Sequence, residues 1–175
     1  GRNFAGLTGI SNRFFNHEVI PMSDEQELID RLNEALSWEL AGVIQYGHHA
    51  AMVTGPHREY LEEFFLEGSK EARDHIEKAN NKIAALGGTP TVEPARIREA
   101  TDVEGMLDAA LALEYDALEA WESALEIGEV ANKGTEFWLE DHVAEEQEHV
   151  DEIRLLADKV SYGEAGLDTS AAQSG

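Results

Sequence analysis

The sequence predicts an all-α fold, a four-helix bundle with a long crossover between the second and third helices. Three observations predict it. Four segments, each about 28 to 30 residues long, carry apolar residues at three- and four-residue steps, the period of helices with one buried face. Between the second and third segments lies a stretch holding Pro90 and Pro94, whose backbone cannot continue as regular helix. A chain of 175 residues with 42% hydrophobic content is long enough for one compact core and too short for two comfortable ones.

Residues 1–23 combine Gly1, Gly6 and Gly9 with Phe4, Phe14 and Phe15 ahead of Pro21, show no sustained period, and read as an N-terminal extension. Ser23 followed by Asp24, Glu25 and Gln26 is a helix start, with a capping hydroxyl and acidic residues in the first turn. The first helix follows on Leu28, Leu32, Leu36, Leu40, Val43 and Ile44 until Thr54-Gly55-Pro56 stops it. The second is expected from about His57 to Leu86, buried on Leu61, Phe64, Phe65, Ile76, Ile83 and Leu86 and ended by Gly87-Gly88. The third runs from about Asp102 to Val130 on Met106, Leu107, Leu111, Leu118, Trp121 and Leu125. A turn at Asn132-Lys133-Gly134 leads into the fourth, about Thr135 to Ser161, on Trp138, Leu139, Val143, Ile153, Leu156 and Val160. The bundle thus covers residues 24–162, and residues 163–175 read as a polar tail. Helices of this length span roughly 42 to 45 Å, and about fifteen extended residues cover roughly 50 Å, so the segment between helices two and three returns the chain along the whole bundle.

Thirty-six acidic residues against thirteen basic ones give a formal charge of -23. Such a surface repels phosphates and anionic lipids, so neither nucleic acid nor membrane is expected as a partner, and cations are. The charge reads equally as a solvated face suited to high salt. With no cysteine, thiolate metal sites, disulfides and cysteine nucleophiles are all excluded. No apolar run approaches the roughly 18 to 20 residues that span a bilayer, and no secretory pattern is visible, so a cytoplasmic protein is expected.

The informative feature is where a few carboxylates fall. Leu32, Leu36, Glu39, Val43, Tyr46 and Ala50 form one helical stripe with Glu39 at its middle. Leu107, Ala110, Glu114, Ala117 and Trp121 do the same for Glu114. In the fourth helix the stripe carries both Glu146 and His149, spaced i and i+3 so that both side chains point one way. The second helix offers His75, with Glu71 or Ala72 one turn before it. Any one of these residues reads more simply as a stripe-edge carboxylate or a packed histidine. Five together, each near the midpoint of its helix, are another matter. A buried carboxylate costs several kcal/mol unless paired or bound to a cation, and no Lys or Arg sits at the matching level of a stripe. Metal ions are the simplest counter-charge, and oxygen-rich ligation with two imidazoles suits iron or manganese. Tyr46 is read as a core aromatic, and His48, His49, His57 and His142 are expected to be partly exposed, with His49 and His142 as candidates for a secondary metal route.

Over about residues 24–162 the chain resembles bacterioferritin and the wider ferritin-like family. Leu32-Asn33-Glu34-Ala35-Leu36-Ser37-Trp38-Glu39-Leu40-Ala41-Gly42-Val43-Ile44-Gln45-Tyr46 is similar to that family's first helix, Leu113-Glu114 to its third-helix ligand, and Glu146-Gln147-Glu148-His149 to its fourth-helix Glu-x-x-His. The resemblance implies a ferritin-like bundle with a di-iron site, manganese or zinc being alternatives, held by Glu39, Glu71, His75, Glu114, Glu146 and His149. Glu39 and His75 would hold one ion, Glu114 and His149 the other, with Glu146 bridging, and Glu39, Glu114 and Glu146 would carry the catalysis. It implies ferroxidase activity with oxygen or peroxide on ferrous iron, and storage of ferric iron in a homo-oligomeric shell. Two departures stand out. Ala72 occupies the place of the family's second-helix bridging glutamate, so that either Glu71 takes over with a shift of the helix or it faces the shell interior and leaves five ligands, and Arg73 stands where bacterioferritin has its haem-ligating methionine, so no haem is expected. Readings of other kinds are a structural or interaction subunit with a degenerate metal site, and a rubrerythrin-like peroxidase or di-iron oxidase.

Overall fold

The computed structural model describes residues 23–168, with the side chains of 129–131 and 159–168 left aside. The expected N-terminal extension and the end of the polar tail lie outside the described residues, as does the side chain of Val160. The described residues form four helices: α1 (Asp24–Met52), α2 (Arg58–Ala85), α3 (Val103–Ala131) and α4 (Lys133–Asp168). Ser23 caps α1 by accepting the Gln26 N–H at 3.2 Å, and Asp102 caps α3 through the Gly105 N–H at 2.9 Å. Gly87, at φ 79°, supplies the left-handed residue that ends α2. Two boundaries differ from expectation. Only Asn132 interrupts α3 and α4, because its backbone carbonyl and side-chain oxygen both accept the Thr135 N–H and start the new helix at once. The fourth helix also continues past Ser161 to Asp168.

Cross-helix contacts fix the topology. Glu39 meets His75 while Tyr46 packs on Phe65, so α1 and α2 are antiparallel; Glu39 also meets Trp121 while Tyr46 meets Glu114, so α1 and α3 are antiparallel too. Helices α2 and α3 therefore run parallel, which the crossover makes possible by travelling the length of α1. It is tied there at three levels. Asn33 bonds the Thr89 carbonyl and the Thr91 N–H, the Ala95 N–H donates to the Ser37 carbonyl, and the Arg98 N–H donates to the buried side chain of Gln45.

The apolar core is divided in two. One half gathers Leu28, Leu32, Leu36, Ile83, Trp121 and Leu139, the other Phe65, Met106, Leu107, Leu113, Ile153 and Leu156. Ile44, expected in the first-helix stripe, is instead 48% exposed, since the stripe drifts around the helix and Gln45 and Tyr46 take the inward positions. Helix α1 packs on α2 and α3, and α3 on α4, but among the described residues no Cα of α2 comes within 8 Å of one of α4. That seam is closed by long polar side chains, and it is there, between the two apolar halves, that the charged residues collect.

Candidate metal centre

Each half of the core ends on a layer of ionisable groups. Glu39, His75, Glu114 and Glu146 are 4%, 4%, 6% and 1% exposed, a degree of burial that charged side chains tolerate only when paired. The α1 stripe carries Glu39 inward, where the Trp121 indole N–H donates to its Oε1 at 2.8 Å. His75 turns Nδ1 to the same oxygen at 3.3 Å and to Glu146 Oε1 at 2.8 Å. On the other side, His149 Nδ1 stands 3.6 Å from Glu114 Oε2 and 3.8 Å from Glu146 Oε2. The Tyr46 hydroxyl donates to Glu114 Oε1.

Two triads of ligand atoms result. Glu39, His75 and Glu146 bring one nitrogen and two oxygens within 4.8 Å of one another, and so do Glu114, Glu146 and His149. Glu146 belongs to both. Its enclosed Oε1 has no aligned hydrogen-bond donor although His75 lies close, as suits an oxygen whose partner is a cation off the imidazole axis. Three carboxylates and two imidazoles, with no thiolate, are a donor set for two ions of iron, manganese or zinc type.

Without ions, protons take over the charge balance. Burial pushes Glu39 up to about 8, aided by the charge of Glu146. Burial works against protonation of His75 and His149, but their contacts with Glu146, Glu39 and Glu114 outweigh it and raise them to about 10 and about 11. Burial disfavours ionised Glu146 as well, yet His149 and His75 hold it well below the usual carboxylate range. Burial raises Glu114. At neutral pH the ion-free centre is thus an anionic Glu146 between two imidazolium rings, with Glu39 protonated.

Of the six residues expected to ligate, five meet at this layer. Glu71 stands outside both triads, its Oε2 3.4 Å from the outer nitrogen Nε2 of His149, with its side chain 43% exposed. Ala72 is buried and lies against Gly42 of α1. His49 and His142, expected to be partly exposed, are 0% and 2% exposed. His49 packs edge-on against Phe65, and His142 lies between Trp121 and Trp138 and donates Nδ1–H to the Trp138 carbonyl at 2.9 Å. Neither histidine belongs to a ligand triad, although the His142 ring lies 5.5 Å from that of His75. Sequence reasoning missed two partners of the centre. Trp121 was legible only as a core residue, and Glu145, which reaches His75 Nε2 at 3.1 Å, hid as one acid among many.

Two clefts open on the α2–α4 seam. One, of about 310 Å³, runs past Tyr60, Phe64 and Glu67 to Glu114 and His149. The other, of about 290 Å³, is lined by Glu71, Asp74, Lys78, Glu145 and Glu148 and reaches both histidines. Small cations thus have an acidic approach from two sides. Among the described residues, no helix is long and apolar enough to cross a membrane.

Residues 29–162 match the model of the ferritin-like domain family. The chain is 32% identical over 144 residues to the bacterioferritin of Brucella melitensis, covering 78% of this chain and 86% of that protein. In structure it is similar to a ferritin-like, diiron-carboxylate protein of Bacillus anthracis, with TM-score 0.75, 36% identity and coverage of 78% of this chain and 99% of that one. It is also similar to a dodecameric thioferritin, the bacterioferritin-related protein of Bacteroides fragilis, with TM-score 0.72, 25% identity and coverage of 81% and 90%.

Proposed function

Because the chain belongs to the ferritin-like domain family, we propose that it binds two ferrous ions between its helices and oxidises them, passing the ferric product to storage inside a homo-oligomeric shell. The observation that carries this reading is Glu146, one carboxylate placed against Nδ1 of both histidines, where it can bridge two cations. Glu39 and His75 serve the first ion, and Glu114 and His149 the second. Each ferrous ion gives up one electron, so a bridged pair delivers the two electrons that reduce oxygen to peroxide or peroxide to water. Glu39, Glu114 and Glu146 are the catalytic residues in this reading, since all three touch the reacting ions. Glu71 reaches the second ion only through His149 or by a turn of its exposed side chain. The dodecameric assembly of the Bacteroides relative supports a shell here.

Oxygen uptake tests the reading. Aerobic addition of ferrous iron to the purified protein should consume about one oxygen molecule for every two ions, well above the protein-free rate, and Glu146→Ala should return it to that rate. Uptake no faster than the protein-free rate would leave the metal centre without an oxidase role. A second reading, in which the ions only fasten the bundle, draws on Ala72: with alanine in place of a second bridging carboxylate, the centre has three inner carboxylates rather than four.

A further inference from the structure

The chain places its own cations on most of its outer aromatic rings. Among the described residues the large exposed aromatics are Tyr60, Tyr115 and Phe137. The Arg154 guanidinium lies 5.2 Å from the ring centre of Tyr115 and the Lys133 ammonium 6.0 Å from that of Phe137, and the half-buried Trp38 and Trp138 are covered likewise by Arg98 and Lys82. Tyr60, 58% exposed, has no cation of the described residues on it. It lines the first of the two clefts, of about 310 Å³, together with Phe64, Tyr46 and the buried Ile153. Gly68 keeps the face of Tyr46 open to that space, since a Cβ there would come within 3.2 Å of the ring. Glu63, Glu67, Glu71 and Glu152 bring negative charge to these rings, and no Lys or Arg lines the cleft. Lys70 is engaged with Glu67 at 2.6 Å, while Glu63 and Glu152 have no ion pair among the described residues.

We propose that this cleft is a binding site for an organic cation of the arylalkylammonium class, its apolar body between Tyr60, Phe64 and Ile153 and its ammonium on Glu63 and Glu152. The ligand supplies the cation that the chain sets on its other exposed rings and omits here. The face of a phenol or phenyl ring attracts positive charge through its quadrupole, and carboxylates beside it add to the attraction. A hydrated metal ion has no use for apolar walls, and the second cleft, lined by charged side chains without a phenol or phenyl ring, offers it a route that lacks them. The volume lies at the small end of ligand pockets, which run from roughly 300 to 1,000 Å³, so one ring and a short chain fill it. Nothing in this binding requires ions in the centre, so the inference stands apart from the two-ion reading.

The test titrates phenethylammonium chloride into the 15N-labelled full chain, with a chelator present, and follows the backbone amide signals. The expected result is a saturable shift at one ligand per chain, centred on Gly68 and Ile153, while phenylacetate, which has the same ring and the opposite charge, produces none. Tyr60→Ala should weaken binding about two- to fivefold, the loss of one exposed cation–π contact. Glu63→Gln combined with Glu152→Gln should weaken it about three- to tenfold, the loss of two exposed ion pairs. Gly68→Leu, which fills the space in front of Tyr46, should abolish it. Tyr60, Glu63 and Glu152 are exposed, so their variants report even if Gly68→Leu does not fold. No saturable shift in wild type, shifts scattered over the acidic surface, equal binding of phenylacetate, or wild-type affinity in both Tyr60→Ala and the Glu63→Gln, Glu152→Gln chain would each overturn the proposal.

Discussion

The imidazoles of His75 and His149 lie nearly parallel, 18° apart with centroids 5.9 Å from each other, although they come from helices that never touch through their backbones. What aligns them is Glu146, whose two oxygens face the two Nδ1 atoms. This makes Glu146 the counter-charge of both rings in the ion-free protein, and the same placement is what the proposed bridging role draws on. Removing one partner of a buried ion pair costs up to about 3–5 kcal/mol. Glu146→Ala should therefore lower the stability of the ion-free bundle at pH 7 by an amount up to that range, measured by chemical denaturation. Glu71→Ala, which removes a half-exposed carboxylate, should change it by less than about 1 kcal/mol.

Proton release follows from the same arrangement. Ions that take the places of protons on Glu39, His75 and His149 should expel about three protons per chain on loading at pH 7. Zinc added to a weakly buffered solution containing a pH indicator measures the number, and affinity should tighten steeply from pH 6 to pH 8. A release near zero would contradict an ion-free centre that carries protons on Glu39, His75 and His149 and gives them up to metal.

Stability should depend on pH in two opposite ways. The folded-state pKa values of His75 and His149, about 10 and about 11, lie above the ordinary 6.5, so their contribution is complete below pH 6.5 and is lost as pH rises toward 10 to 11. Bound ions replace those protons, so loading should flatten this alkaline decline. His142 works the other way. Burial lowers it to about 4, so its contribution is present above pH 6.5 and is lost as pH falls from there through 4, a change on the order of 3 kcal/mol. Denaturation curves of His142→Phe between pH 4 and 7 should show a shallower acid slope than wild type.

Trp121 offers a spectroscopic check. Its indole N–H bonds the Glu39 oxygen that belongs to the first triad, and its ring is fully buried. Metal loading should change tryptophan emission, and Trp121→Phe should remove most of that response while Trp38→Phe does not. The same substitution leaves a cavity and takes one of two donors from the Glu39 oxygen, which keeps His75, and should cost roughly 2–4 kcal/mol.

Much of this centre could be read from the chain. Glu39, Glu114, Glu146 and His149 sit on stripes whose neighbours are apolar at every third or fourth position, so helical geometry alone sends them inward, and the crossover length follows from two prolines and a distance. Other features resist such reading because they depend on how helices face one another. Tyr46 turns in as its stripe position implies, against Phe65 of α2 and Glu114 of α3, whereas Ile44, two positions earlier and read into the same buried face, is left outside by the way those helices sit. His142 looks like a boundary residue until Trp121 and Trp138 close over it. Glu145 is adjacent to Glu146 and half exposed, and becomes significant only because α2 and α4 stand apart and present His75 Nε2 to it.

Removal of metal separates fastening from catalysis. Chelation should lower the melting temperature under either reading, since ions bound only by the folded chain stabilise it. Oxygen uptake that returns on adding ferrous iron back identifies an oxidase, whereas recovery of melting temperature alone identifies a clamp.

Anaerobic titration with ferrous iron, followed by equilibrium dialysis and metal analysis, tests the two-ion centre most directly. The centre described here should saturate at two ions per chain in the wild type and hold none firmly in Glu146→Ala. A wild-type chain that retains one ion or none, or a Glu146→Ala chain that still retains two, would contradict it.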